Sequence, residues 1–431
     1  MLGLLSTTSR VTKNLAEVTS RSPRGEDDPR AGGVEPQAVE GIWQSVERLY
    51  RSGVHPAIQL CIRRRGKVLL DRSIGHARGN GPADPPDAEK VLATTETPFN
   101  IYSASKAVTA MVVHLLDQRH EIHLDDIVSY YIPEYAKHGK ERITIRQVLT
   151  HRAGVPNIPR EAIDLDRLND PAWVLGFLCE AVPLWRPGRL IGYHAITGGF
   201  ILGEVVRRIT GKDIRTVLAD EILQPLGFRW GNYGVPAHDV PKVALAYVTG
   251  PPVLPPLSGM LRRALGVPIH EAVELSNDPR FMTAIVPAGN VITTANELSR
   301  FYQLLLDGGE LDGVRIFEPR TIHRATAEQS YLEFDLTLGF PLRYGMGFML
   351  GGQWLSLYGP DTEHVFGHLG FTNIVGWADP ERQVAGALMT SGKPVLYPQI
   401  YYLFDIMRQI GRACPKTAWT GASEDESVAV T

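Results

Sequence analysis

The sequence predicts an α/β protein in which the two ends of the chain build a sheet with flanking helices and a mainly α-helical subdomain is inserted between them. Three observations predict it. Strand-like alternation occurs near both ends, over residues 58 to 74 and again over residues 344 to 389. The middle, about residues 120 to 275, is mainly helical in pattern, with breaks at Pro133, 156–159, 183–187 and Pro225. The chain has 431 residues, 44% of them hydrophobic, enough for a large buried core.

Residues 1–36 are rich in Ser, Thr, Arg, Gly and acidic residues, which predicts a flexible tail. The folded domain is expected over 37–415, with a second flexible tail over 416–431. Val39, Ile42, Trp43, Val46, Leu49 and Tyr50 recur at helical spacing and predict an amphipathic helix. Ile58, Leu60 and Ile62 alternate with polar neighbours. Arg65-Gly66 then turns the chain into a second strand, making a hairpin. From Ala107 to Leu116 the residues are apolar on almost every side, the mark of a buried helix. Gly154, Gly211 and Gly227 are predicted helix stops. Residues 250–275 begin Gly-Pro-Pro-Val-Leu-Pro-Pro-Leu and permit two readings: an ordinary loop with a short helix, or a lid with an exposed apolar face. Leu298, Phe301, Tyr302, Leu304 and Leu305 mark a further helix. Strands are expected near 344–350, 374–378 and 384–389, and a closing helix carries Ile400, Leu403, Phe404, Met407 and Ile410.

The charge balance excludes some classes of function. With 44 basic and 47 acidic residues the net charge is −3, so nothing points to nucleic acid. Cys61, Cys179 and Cys414 are far apart and form no Cys-x-x-Cys, so buried free thiols are expected. His120-Glu121-Ile122-His123 lacks the helical spacing of a metal pair, and no metal or cofactor is expected. The N-terminus lacks the apolar run of a signal peptide, and no stretch reaches the ~18 apolar residues of a spanning helix. The expected compartment is the cytoplasm, with peripheral lipid or membrane contact through 250–275 left open.

Ser103 and Lys106 lie three apart at the start of the buried helix. One turn of helix brings the amine to the hydroxyl, and an amine that loses its charge by desolvation can take a proton from serine. Alone, the pair reads far more readily as a helix-capping serine followed by a solvated lysine. Two further motifs follow in order: Tyr193-His194-Ala195 before an apolar helix, and Gly367-His368-Leu369-Gly370-Phe371 before a strand. A Gly-x-Ser-x-Gly elbow is absent.

In these three motifs, and in 149–156 (Leu-Thr-His-Arg-Ala-Gly-Val-Pro) and 287–290 (Pro-Ala-Gly-Asn), the chain resembles the serine β-lactamase/penicillin-recognising superfamily. Its esterase branch, the family VIII carboxylesterases, is the most similar. The resemblance covers roughly residues 40 to 412 in order. It implies a β-lactamase-like fold with an antiparallel sheet, and a metal-independent serine hydrolase. Ser103 is then the acylated nucleophile, Lys106 helps remove its proton, and Tyr193 is a general base whose phenolate the neighbouring ammonium favours. The backbone N–H groups of Ser103 and Phe371 form the oxyanion hole. His194, Asn290, His368 and Gly370 are the candidate substrate contacts, and His151 belongs to a structural turn.

Two departures from the penicillin-recognising pattern bear on substrate. Ala195 stands where the Tyr-x-Asn amide would be, and His368-Leu369-Gly370 replaces Lys-Thr-Gly. Both changes disfavour an anionic amide and favour a neutral, more apolar ester. The expected activity is carboxylic ester hydrolysis through an acyl-enzyme. The alternatives are a β-lactamase or D,D-peptidase, an acyltransferase with the same intermediate, and a catalytically silent binding protein.

Overall fold

A computed structural model describes residues 7–354 and 356–417. Its main sheet is built from β1 (Thr19–Arg21), β2 (Ala57–Arg64), β3 (Lys67–Arg78), β4 (Ser330–Phe334), β5 (Pro341–Tyr344), β6 (Met349–Leu350), β7 (Phe366–Gly370), β8 (Ile374–Asp379) and β9 (Val384–Thr390). Every pairing is antiparallel, in the order β1-β3-β2-β9-β8-β7-β6-β5-β4, and the short strand Val91–Leu92 adds to β3. The two chain ends therefore share one sheet, as the sequence predicts. The β2–β3 turn has Arg65 at φ 50° and Gly66 at φ 74°, the backbone that a two-residue hairpin turn demands.

Helices cover both faces. On one, α1 (Pro36–Arg51) and the closing helix Ile400–Ala413 pack against Ile58, Leu60 and Ile62 of β2 and Leu388 of β9. All six residues predicted for the apolar face of α1 are buried. Phe404 of the closing helix is instead exposed. On the other face, α2 (Ser105–Gln118) and the helix Ala295–Leu306 lie over Cys61, Ala385 and Ala387. Double coverage changes the reading of β2. Its polar neighbours do not face water: Gln59 is fully buried. Burial without partners would cost several kcal/mol. The Gln59 amide donates to the carbonyls of Thr94 (2.7 Å) and Thr97 (3.2 Å), and its oxygen accepts the Ala295 N–H (2.5 Å).

Between the strand ends, residues 120–275 are helical turns and short helices, with one two-residue strand, Asn232–Tyr233. That strand and Phe99–Asn100 flank Val291–Thr293 in a small separate sheet. Gly154, Gly211 and Gly227 all take positive φ, and Gly211 caps the helix Thr197–Thr210. The three cysteines are free and buried.

The N-terminal segment differs from expectation. Residues 7–36 are ordered against the sheet rather than forming a flexible tail. Leu15, Val18 and Val34 are buried, β1 adds an edge strand to β3, and Glu26 pairs with the buried Arg72 at 2.7 Å. Three apolar anchors and one ion pair outweigh an otherwise polar composition. At the other end, Lys416 pairs with Asp361 and Glu381, while the rest of the tail expected over 416–431, from residue 418 on, lies outside the described residues.

Candidate active site

The turn that carries Ser103 is pinned from two sides. Phe99–Asn100 pairs with Val291–Thr293, and the Ile101 N–H donates to the Val291 carbonyl. The chain then enters a tight helical turn, Tyr102–Ala104, which runs into α2. Ser103 is not the side-chain cap that its position suggests. Asn100 plays that part, its side-chain oxygen accepting the Tyr102 N–H at 3.0 Å. The Ser103 hydroxyl is thereby left free for chemistry. Tyr102 is held at φ 49°, a strained backbone for a bulky residue. Its hydroxyl is tied to Ser276 Oγ (2.8 Å), and its ring lies 5.0 Å from that of Phe371.

Every residue from Ser105 to Asp117 is buried, which places Lys106 inside the core. Its Nζ lies 3.2 Å from Ser103 Oγ, 2.7 Å from the Ala195 carbonyl and 3.0 Å from the Ala288 carbonyl. Burial pushes the ammonium down to about 7. A neutral amine has two hydrogens and one lone pair. Two carbonyls take the hydrogens, and the lone pair is left facing the serine. Ser105, by contrast, is structural: its Oγ accepts the Val291 N–H at 3.0 Å.

Tyr193 lies over Lys106, with the ammonium 4.8 Å from the ring centre, and Ser103 is among the groups that act on its hydroxyl. Burial raises the phenol well above its ordinary value, outweighing the Ser103 contact, and Asp335 pushes the same way. The dry setting thus works against the expected phenolate and lowers the cost of a neutral Lys106. The seat of Tyr193 is built from groups far away in sequence. Asp335 is fully buried and accepts the Tyr193 N–H (3.1 Å), the Tyr344 hydroxyl (3.0 Å) and the N–H groups of Thr337 (2.8 Å) and Leu338 (2.9 Å). The His151 ring sits 4.6 Å from that of Tyr193, and its Nδ1 accepts the His194 N–H at 3.2 Å. The sequence gives no hint of Asp335, and it does place His151 in a structural turn.

The third motif arrives on β7. This strand pairs with β8 along its whole length but with β6 only at Phe366 and Gly367. The other edge of His368, Leu369 and Gly370 is thus open, and the serine turn fills it. A Cβ on Gly370 would stand 2.1 Å from the Ile101 carbonyl oxygen, so only glycine permits this approach. Phe371 follows at φ 49° and stacks on Tyr102. Among the described residues, neither the Ser103 N–H nor the Phe371 N–H has an acceptor. Two unclaimed donors on touching turns suit a developing oxyanion.

His368 is buried. Burial, and secondarily Lys106, pushes its imidazole down to about 3, so it is neutral. Its Nδ1 donates to the Leu369 carbonyl at 2.8 Å, which leaves Nε2 as an acceptor. Two other expected contacts turn inward. Asn290 is fully buried. Its oxygen accepts the Val286 N–H (2.9 Å), and its amide donates to the carbonyls of Phe281 (3.0 Å) and Ala284 (2.8 Å). It shapes the turn that presents the Ala288 carbonyl to Lys106, and has no capacity left for substrate. His194 is enclosed against Gly198, and burial holds it neutral at about 3. His123 accepts the Asp125 N–H at 3.2 Å within a turn, and no metal-binding cluster occurs among the described residues.

Residues 250–275 form two helices, Leu257–Leu265 and Ile269–Ser276. The first is not an exposed flap. Ala264 and Leu265 pack into the cluster that holds Ile191, Tyr193, Ala195, Leu342 and Tyr344, with Leu338 and Leu369 beside them. An apolar wall therefore surrounds the Tyr193 side of the site. No helix among the described residues is long and apolar enough to cross a membrane.

Known proteins are similar to this chain in sequence and fold. The Beta-lactamase family model matches residues 43–399. The esterase/β-lactamase LipL of Mycobacterium tuberculosis is 30% identical over 305 residues, 67% of this chain and 68% of its own length. A crystal structure of a family VIII carboxylesterase superposes with a TM-score of 0.73 at 27% identity, over 86% of this chain and 97% of that one. A penicillin-binding-protein homologue from Caulobacter crescentus gives a TM-score of 0.74 at 25% identity, over 88% and 99%. The fold is thus one that known esterases and penicillin-binding-protein homologues share, and the chain belongs to the Beta-lactamase family.

Proposed function

We propose that this protein is a carboxylesterase that works through an acyl-enzyme on Ser103. One observation carries the reading: Lys106, pushed down to about 7, gives its two N–H groups to the Ala195 and Ala288 carbonyls and keeps a lone pair for Ser103 Oγ at 3.2 Å. In the first step the amine takes the serine proton while Oγ attacks the ester carbonyl. The N–H groups of Ser103 and Phe371 hold the oxyanion. Tyr193, held protonated by burial beside the Ser103–Lys106 pair, relays the proton from Lys106 to the departing alkoxide, and the acyl group stays on Ser103. Water then attacks the acyl carbonyl and gives its proton back through the same pair. The carboxylic acid leaves and Ser103 is restored.

The surroundings support a neutral substrate. His368 carries no charge, Ala195 offers no amide, and the wall is formed by Leu265, Leu338 and Leu369. Ser103→Ala is expected to abolish hydrolysis of p-nitrophenyl butyrate with the melting transition unchanged, and wild-type enzyme quenched during turnover is expected to carry the acyl mass on Ser103. Undiminished turnover by the variant overturns the assignment. The name of LipL couples esterase with β-lactamase, so nitrocefin is the discriminating second substrate. It is expected to turn over more slowly than the ester; the reverse makes this chain a β-lactamase.

A further inference from the structure

Three segments meet around the Tyr193 side of the site. The loop 181–192 reaches the hairpin β4–β5 through the Leu336 N–H, which donates to the Ile191 carbonyl at 3.1 Å. The Trp185 ring and Thr337 Oγ1 both lie against Gly192. The hairpin in turn meets the helix Leu257–Leu265, where the Met260 methyl rests on Gly339. Together the three segments form a continuous rim next to the candidate catalytic residues.

The rim has an unusual composition for a surface. Leu184 (61%), Phe334 (57%), Leu336 (45%) and Phe340 (40%) are exposed on it, with Leu254 (63%) just before the helix. The same segments carry four exposed arginines, Arg186, Arg189, Arg262 and Arg263, none in an ion pair or side-chain hydrogen bond among the described residues. Carboxylates are almost missing: Glu333 is committed to Arg152 at 2.5 Å, and Asp335 is buried beneath Tyr193. On a chain of net charge −3, this is a local excess of free cations mixed with large apolar side chains. Monomeric soluble proteins rarely leave such apolar groups together without a use, and arginines interleaved with them select an anionic, apolar-cored surface.

We propose that this rim docks the protein onto an anionic phospholipid bilayer, with the arginines on the headgroups and the exposed Leu and Phe side chains seated between them. The surface is therefore broader than a contact through 250–275 alone. It requires no assumption about the reaction, since docking is measured without turnover. A bilayer fits better than a protein partner because the cations sit on two separate segments, the loop 181–192 and the helix Leu257–Leu265, with the apolar hairpin beside them and no single groove to order them.

The test is co-sedimentation of the full chain with vesicles of pure phosphatidylcholine, and with vesicles of equal parts phosphatidylcholine and phosphatidylglycerol. Wild type is expected to partition at least about tenfold more strongly onto the anionic vesicles, and to be released as salt rises toward about 0.5 M. The quadruple variant R186E/R189E/R262E/R263E should lose about a hundredfold or more, at about fivefold per arginine. A control with four exposed basic residues reversed elsewhere, R24E/R51E/K67E/R320E, should stay within about threefold of wild type. Serine at Leu184, Leu336 and Phe340 should weaken binding with the charge intact. Equal binding to both vesicle types, salt-insensitive binding by wild type, or a control that falls as far as the quadruple variant each overturns the proposal. The wild-type salt titration decides the matter even where a variant fails to fold.

Discussion

Lys106 and Lys393 are the same side chain in nearly the same environment. Both are buried, and burial pushes both ammonium groups down to about 7. Each lies over a tyrosine ring, Lys106 at 4.8 Å from Tyr193 and Lys393 at 4.9 Å from Tyr102. Each donates to the main chain. The difference is in what else the nitrogen meets. Lys106 has two carbonyls that fix its hydrogens and a serine hydroxyl beyond them. Lys393 has the Thr390 carbonyl at 2.6 Å, and no hydroxyl within reach among the described residues. Desolvation makes a base available; the acceptors around it decide where its lone pair points. On this reading Lys106 is catalytic, whereas Lys393 braces the ring of the strained Tyr102 that precedes the nucleophile.

The comparison breaks most readily by removing each lysine. Lys106→Met is expected to lower kcat/KM for p-nitrophenyl butyrate by at least about a thousandfold. Lys393→Met should stay within about fivefold, because it loses a hydrogen bond to Thr390 and a cation–π contact of about 1–2 kcal/mol, at a ring also held by Ser276 and Phe371. Comparable losses in the two would mean that the charge, not the lone-pair geometry, matters. A smaller effect is expected from Gly370→Ala. The new methyl would stand 2.1 Å from the Ile101 carbonyl, so β7 must move away from the serine turn and carry the Phe371 N–H with it. Loss of one oxyanion donor corresponds to about a hundredfold in kcat, with KM little changed. A KM effect alone would remove Phe371 from that role.

The pH profile comes next in size. A neutral Lys106 is the active form, so kcat/KM should fall about tenfold per unit below pH of about 7, the value to which burial pushes it. The same acid limb should appear in Lys393→Met. A limb that moves with Lys393 would put the wrong lysine in the mechanism.

How much of this was legible in the sequence follows the range of the interactions. Ser103 and Lys106 are one helical turn apart, so spacing puts the amine within reach of the hydroxyl, and the two later motifs give the pair its chemical meaning. Tyr193 needs the order of three motifs, because nothing local ties residue 193 to residue 106. Asp335 was illegible: a single carboxylate in Glu-Phe-Asp-Leu-Thr fixes a tyrosine 142 residues away through the main chain. The carbonyls of Ala195 and Ala288 are equally silent, since every residue has one. Asn290 was singled out by its motif, but its function is to bend the loop that delivers one of those carbonyls. The sheet was readable from alternation. Its double coverage was not, which is why Gln59 looked solvent-facing. In residues 7–36 the composition suggests a tail, yet three well-placed apolar side chains suffice to dock it.

The finest test is thermodynamic, and it concerns the lysine outside the chemistry. The unfolded chain holds Lys393 at its ordinary value of 10.5, and the native chain near 7. Below pH of about 7 the lysine is protonated in both states, and folding must bury a charge. Between the two values folding releases a proton, so stability rises with pH across that window; above it the amine is neutral in both states and the cost is gone. A shift of this size corresponds to several kcal/mol, at about 1.4 kcal/mol per unit. Part is offset at low pH by the Tyr102 contact and the hydrogen bond to Thr390. Lys393→Met removes the titration and leaves one carbonyl unpaired. It is expected to be about 2 kcal/mol more stable than wild type near pH 6 and about as much less stable near pH 10, where the unpaired carbonyl is the remaining difference. Lys106→Met should show the same slope with a smaller gain, because it strands two carbonyls, Ala195 and Ala288, instead of one. Urea unfolding of the three proteins at both pH values checks this. A pH-independent difference for Lys393→Met would mean that water reaches that amine, and the likeness between the two lysines would then end at their burial.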